Sequence, residues 1–186
     1  MKRIRNTVLF IFLVYCGSTA VHAQSLAILG RRTGLHTVDY SMKLGIPDNS
    51  FLTGVLEDNR KLRLVYELRL YKKSKGFTAL LGDSLLTSSS HEFVLSKDAV
   101  SGQFIADENG VINYFVDEEE LITYITTIFG TFFLEEETRI NSPVYLKGRC
   151  TIRPDIMEPP LKIVEIFLRE KIIRLEWVTF SLDNRP

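Results

Sequence analysis

Histidine, cysteine and tryptophan are scarce in this sequence, at three, two and one among 186 residues. Each scarcity excludes something. Cys16 and Cys150 allow one disulfide at most, and none once the N-terminal segment is removed. A zinc site of the usual kind needs three or four closely organised His, Cys or carboxylate ligands, and nothing in the chain has that spacing. Phosphate-binding glycine loops and dinucleotide fingerprints are absent as well. So is the nucleophile elbow, because Gly82-Asp83-Ser84 lacks the rest of it. Long apolar runs are also missing. The best one, Val8 to Tyr15, falls well short of the ~18–20 residues that span a bilayer as a helix.

That run does have a meaning. Lys2, Arg3 and Arg5 precede it, small and polar residues follow it, and Val21-His22-Ala23 ends the segment. This is the three-part layout of a secretory signal peptide, with cleavage expected after Ala23. There are two alternatives. Cys16 after Leu13-Val14-Tyr15 is close to a bacterial lipobox, although bulky Tyr15 stands where that motif takes a small residue. The segment also serves as an uncleaved anchor if it is not processed. All three readings place the body beyond the membrane, in the periplasm or cell envelope.

Removing residues 1–23 from the 186 leaves 163, enough for one domain with a proper core. The signal takes three of the 23 basic residues, so 20 remain against 23 acidic ones, a net of −3. Such a balance offers no electrostatic case for nucleic acid or anionic lipid. Lys72, Lys73 and Lys75 beside Gly76 read as a solvated turn.

The pattern along the body is mostly that of strands. Residues 24–34 read as a loose lead-in. From Leu35, Val38, Tyr40, Met42 and Leu44 alternate with polar neighbours. Pro47 to Asn49 break this strand, and Ser50 is placed to cap a short helix carrying Phe51, Leu52, Val55 and Leu56. Lys61–Lys73 alternates most regularly, as a half-buried antiparallel strand does. Residues 84–97 continue as strand to a turn near Asp98–Gly102, and Asp107-Glu108-Asn109-Gly110 is a hairpin turn ahead of Val111–Val116. Asp117 caps a helix predicted at about 117–129, ended by Gly130, despite several β-branched residues. An acidic loop (Glu135 to Glu137) leads to the strand Val144–Arg153. Pro154, Pro159 and Pro160 then enclose a turn before a helix at Leu161–Arg169. The final strand, Ile172–Leu182, switches parity near Trp177, which predicts a bulge or a crossing there.

The expected class is α+β, mainly antiparallel β, with one sheet or a β-sandwich of about 6–8 strands and two or three short helices. The expected domain runs over 35–182.

Candidate chemistry is thin. His36 and His91 come from different strands and read as surface or turn residues. Ser88-Ser89-Ser90-His91-Glu92 is contiguous, whereas a nucleophilic triad is assembled from distant segments. Glu118–Glu120 and Glu135–Glu137 read as a helix start and a solvated loop, and Asp107–Gly110 has too few ligands for a calcium loop. Cys150 shares parity with Val144, Leu146 and Ile152, which predicts a buried, inert thiol facing away from Arg149 and Arg153. No catalytic, cofactor-binding or metal-ligating residue is assigned, and an enzyme is not expected.

The order of elements, with LRLVYELRLYKK, INYFVDEEELITYI, YLKGRCTIR and PPLKIVEIFL as its clearest segments, resembles a family of uncharacterised bacterial exported proteins, a domain of unknown function found across Gram-negative lineages. The resemblance covers about Leu35 to Leu182. It departs at the C-terminus, where Trp177 alone stands for a Trp-rich stretch. It implies a β-rich envelope domain and transfers no active site. Three functions follow from the reading as a whole: an envelope accessory or protein-binding module first, a carrier or chaperone for an apolar ligand such as lipid second, and an enzyme with a dispersed site third.

Overall fold

The computed structural model describes residues 25–34, 36–46, 49–74, 76–134, 143–155 and 173–182. The expected signal with Cys16, the acidic loop at 135–137 and the expected helix at 161–169 lie outside them. In chain order the elements are β1 (Ser25–Arg32), β2 (Thr37–Gly45), α1 (Ser50–Glu57), β3 (Lys61–Lys72), a 3-10 turn (Gly76–Leu81), β4 (Ser84–Lys97), β5 (Phe104–Glu108), β6 (Val111–Phe115), α2 (Glu118–Thr126), β7 (Thr127–Phe133), β8 (Val144–Asp155), β9 (Ile173–Arg174) and β10 (Val178–Leu182).

These strands form two antiparallel sheets. The smaller has the order β1-β2-β7, and the larger β10-β8-β3-β4-β5-β6, with β9 also paired to β8. The fold is therefore α+β and mainly antiparallel, in two layers with two short helices among the described residues. Period-2 alternation explains the layering, because it gives each strand one apolar face to bury. On β3, Leu62, Leu64, Tyr66, Leu68 and Leu70 are all buried; on β2, Val38, Tyr40, Met42 and Leu44 are. They belong to one core, and each buried leucine stabilises it by roughly 1.5–3 kcal/mol. Gly148 of β8 faces the small sheet closely. A Cβ there would stand 2.8 Å from Ile28 Cδ1 of β1 and 2.8 Å from Met42 Cε of β2.

Four sequence expectations are corrected. The lead-in is not loose, since Ser25–Arg32 pairs with β2 along its length, from Ser25 opposite Gly45 to Arg32 opposite Val38. Its alternation was hidden because Ala27 and Leu29, on the exposed side, are apolar too. The cap of α1 is Asn49 rather than Ser50, which is already helical, and no side-chain bond closes that cap. Strand β8 runs on through Pro154, which lies opposite Leu62.

The fourth correction is the largest. The predicted helix at 117–129 ends at Thr126, and Thr127–Phe133 is strand β7 on the edge of the small sheet. Ile128 lies three residues after Ile125, a helical spacing, and four before Phe132, a spacing that suits either period, so apolar spacing did not separate helix from strand. The β-branched run decided the matter against the helix beyond Thr126, whose next residue, Thr127, is fully extended. Gly130 is not a helix stop. It lies opposite Tyr40, whose ring occupies the place of a side chain, with Oη 2.4 Å from a Cβ built there. The start of α2 is as expected, with the Asp117 carboxylate accepting from the Glu120 amide at 2.8 Å.

The bulge near Trp177 is present. Arg174 lies opposite Thr151 and Val178 opposite Gly148, so β9 to β10 advances one residue more than β8 across the same interval.

Candidate functional site

The outer face of the large sheet carries the densest side-chain chemistry. Inward positions on β3 and β8 are apolar, so the alternating outward positions collect the charged residues. Glu67 on β3 lies opposite Arg149 on β8, and Arg149 Nε donates to Glu67 Oε2. Arg69 Nη2 is 3.9 Å from Glu67 Oε1. The bulge then brings Trp177 over this group, with the Arg149 and Arg69 guanidinium carbons 4.6 and 4.8 Å from its ring centre. A guanidinium over an indole is attracted by the ring's negative face. Arg149 holds the Glu67 carboxyl below its usual range by hydrogen bonding, and the same bond raises the Arg149 guanidinium.

Two rungs along, Tyr71 and Tyr145 stack at 5.4 Å, with the Lys147 ammonium 5.5 and 5.7 Å from their centres. Tyr145 donates to Asp83 Oδ2 at 2.6 Å. Burial and that bond push the phenol up to about 12. In the other direction Arg63 pairs with Glu92. By register Arg153 and Arg174 stand on the same face. Thus Arg63, Arg69, Lys147, Arg149, Arg153 and Arg174 face solvent with Glu67 and Glu92. The face is basic and aromatic, although residues 24–186 together carry 20 basic against 23 acidic side chains.

A second polar group lies at the inner side of the same sheet, under α2. His91 is half-buried mid-strand on β4, not a turn residue, and shares its inward parity with Phe93 and Leu95. Its Nδ1 is 3.2 Å from Glu108 Oε1, an ion-pair distance when the ring is protonated but without hydrogen-bond alignment. Tyr124 of α2 donates to Glu108 Oε2, and Asn113 of β6 donates to Tyr124 at 3.1 Å. The bond to Glu108 pushes the Tyr124 phenol up to about 12. A phenol so raised stays protonated at neutral pH, and among the described residues no Ser or Cys side chain is bonded into the group. Its evident action is to tie α2 to β4, β5 and β6.

The small sheet's outer face is different again. Leu29, Phe129 and Phe133 are 63%, 71% and 78% exposed there. An open depression of about 260 Å³ lies among Leu29, Arg31, Asp39, Ser41 and Phe129.

The remaining candidates from the sequence fall elsewhere. His36 precedes β2, where its carbonyl accepts from the Leu134 amide. Ser88, Ser90 and Glu92 point outward from β4, away from His91. Ser89 faces inward and accepts from the Tyr40 hydroxyl at 3.1 Å. Glu118 opens α2 and accepts from Thr53 of α1 at 2.5 Å. Lys72 ends β3, Lys73 follows it and is exposed, and Lys75 lies outside the described residues. Cys150 is fully buried against Tyr66, and burial pushes its thiol up to about 12. Among the described residues no three or more His, Cys, Asp and Glu side chains gather closely enough to hold a metal ion. None of the described helices is long and apolar enough to cross a membrane.

The arginine–tryptophan group was not named from the sequence. Its signal was there, in the outward residues of LRLVYELRLY and YLKGRCTIR, but the register that joins them was not.

No family model matches this chain, and no curated protein matches it either.

Proposed function

We propose that this chain is an exported envelope protein that acts as a binding module, its large-sheet outer face docking an acidic segment of a protein partner. One observation carries the reading: the Arg69 and Arg149 guanidinium groups laid on Trp177, within a row of basic residues on an otherwise acidic body. Arginine and tryptophan are the side chains most enriched where interfaces concentrate their binding energy. A pre-stacked guanidinium loses less freedom on meeting a carboxylate than a free one does. The carrier reading needs an apolar cavity between the sheets. Among the described residues, Tyr66, Phe93 and Met42 are large side chains fully buried in the core, which supports a surface rather than an interior site. Among the described residues, the enzyme reading is favoured by the His91–Glu108 approach.

A photo-crosslinker at Thr179, opposite Lys147 on this face, tests the proposal against one at Thr131 on the small sheet. The Thr179 probe should capture one envelope protein, with capture lost at high salt and in Arg69→Ala/Arg149→Ala. Capture through Thr131 alone, or capture indifferent to both arginines, would refute it.

A further inference from the structure

The last strand of the large sheet, β6, has β5 on one side and, among the described residues, no strand on the other. We propose that this edge pairs antiparallel with β6 of a second copy of the chain. The argument begins at the hairpin. Asn109 and Gly110 both have positive φ, 52° and 92°, and Glu108 lies opposite Val111. This is the two-residue turn whose flanking residues exchange both backbone hydrogen bonds. Because such pairs alternate along an antiparallel ladder, Val111, Asn113 and Phe115 turn their backbone groups toward β5. Ile112 and Tyr114 then turn theirs outward.

The side chains of this strand favour a partner rather than water. Ile112, Tyr114 and Val116 share the outward face and are 54%, 62% and 78% exposed. Edge strands are ordinarily guarded by a charge, a proline or a bulge. Val111-Ile112-Asn113-Tyr114-Phe115 has no charged residue and no proline.

The sequence is also complementary to itself. With a two-fold axis at Asn113, Ile112 of one copy lies opposite Tyr114 of the other, and the reverse. Both are hydrogen-bonding pairs, using the groups that face outward. The Asn113 pair falls at a non-bonded position, as its inward backbone requires. Shifting this register by one residue would set inward groups against outward ones. An isoleucine opposite a tyrosine is a favourable cross-strand pair, and no like charges meet. A two-fold axis of this kind runs through the plane of the sheet, so the joined sheets present both outer faces on the same side. Two basic faces would then stand together, which strengthens the capture of any partner with two acidic segments.

The chain from Gln24 onward is the material for the test. Sedimentation equilibrium should show a monomer–dimer equilibrium. Hydrogen exchange should show the Ile112 and Tyr114 amides becoming protected as concentration rises, with the Asn113 and Phe115 amides protected throughout. Tyr114→Pro removes one outward N–H and none of the β5 ladder, and should yield a folded monomer. Should that variant fail to fold, Ile112→Lys/Tyr114→Lys and Ile112→Glu/Tyr114→Glu serve instead. Each should be monomeric alone, and the mixture should form the heterodimer. A wild type that is monomeric at every concentration overturns the proposal. So does a dimer whose Ile112 and Tyr114 amides exchange as fast as in the monomer, or a mixture that forms no heterodimer.

Discussion

The two sheets share one core but treat their outer faces oppositely. The large sheet separates its chemistry by parity, with leucines inward and Arg63, Glu67, Arg69, Lys147 and Arg149 outward. The small sheet is apolar inward through Val38, Met42 and Ile128, and partly apolar outward through Leu29, Phe129 and Phe133. The large sheet has β3 near its centre, paired with β8 from Lys61 to Lys72 and with β4 from Leu62 to Lys72. The small sheet has three strands, and its edge strand β7 needs a glycine to admit the Tyr40 ring. The difference teaches a division of labour. One sheet supplies most of the cohesion and a sharply polar face, and the other closes the core.

The strongest test of that division is Leu68→Asp. Leu68 is buried at the centre of β3, where its Cδ1 also approaches the place of a Gly148 side chain. Among the described residues, no lysine or arginine is buried on the inner side to meet a carboxylate there. The expected cost is above roughly 4 kcal/mol, against a total stability of about 5–15 kcal/mol for a domain. Urea or thermal unfolding followed by circular dichroism should lose its cooperative transition. A retained transition would mean that the inner face of β3 yields more easily than its packing implies.

Gly130→Ala applies the same question to the small sheet. The added methyl meets the Tyr40 ring, which must move away from Phe132, its neighbour at 4.8 Å, and from Ser89. Overpacking of this kind costs about 1–3 kcal/mol. Urea denaturation should show a lower midpoint with an unchanged slope. Loss of cooperative folding as complete as that of Leu68→Asp would erase the distinction between the sheets.

The same contrast explains what was legible beforehand. Where polar and apolar residues alternate most regularly, as in Lys61–Lys72, the strand and its buried face could be read directly. Where both faces are apolar, as in Ser25–Arg32, alternation carries no signal and the strand read as lead-in. The helix at Glu118 was legible from its aspartate cap, but its end was not. Ile128 and Phe132, four residues apart, fit both periods, and only packing against Tyr40 shows why Gly130 lies in a strand. The candidate site was least legible of all. Trp177, Arg149 and Arg69 come from three separate segments, and nothing local sets the register that gathers them. His91 and Glu108 meet for the same reason, across a β4–β5 pairing that no motif announces.

The smallest effect concerns the outer face itself, through Glu67→Gln. Glu67 has its carboxyl lowered chiefly by the hydrogen bond from Arg149. A lowered carboxyl contributes stability that is present above its unfolded value and lost as pH falls through its folded one. The wild type should therefore exceed the variant most above pH about 4.3, with the advantage fading in acid. The side chain is 27% exposed, so solvent screens the pair and the advantage should be about 1 kcal/mol or less. Unfolding free energies measured across the acid range check this, and a difference that does not change with pH would show that the pair contributes nothing. The variant also separates holding from binding. It removes the negative charge between Arg69 and Arg149 while leaving both guanidinium groups beside Trp177. A slightly less stable protein that captures its acidic partner more strongly would show that Glu67 orders this face and restrains it. Equal losses of stability and capture would show that the intact pair, rather than its positive charge, is what the partner meets.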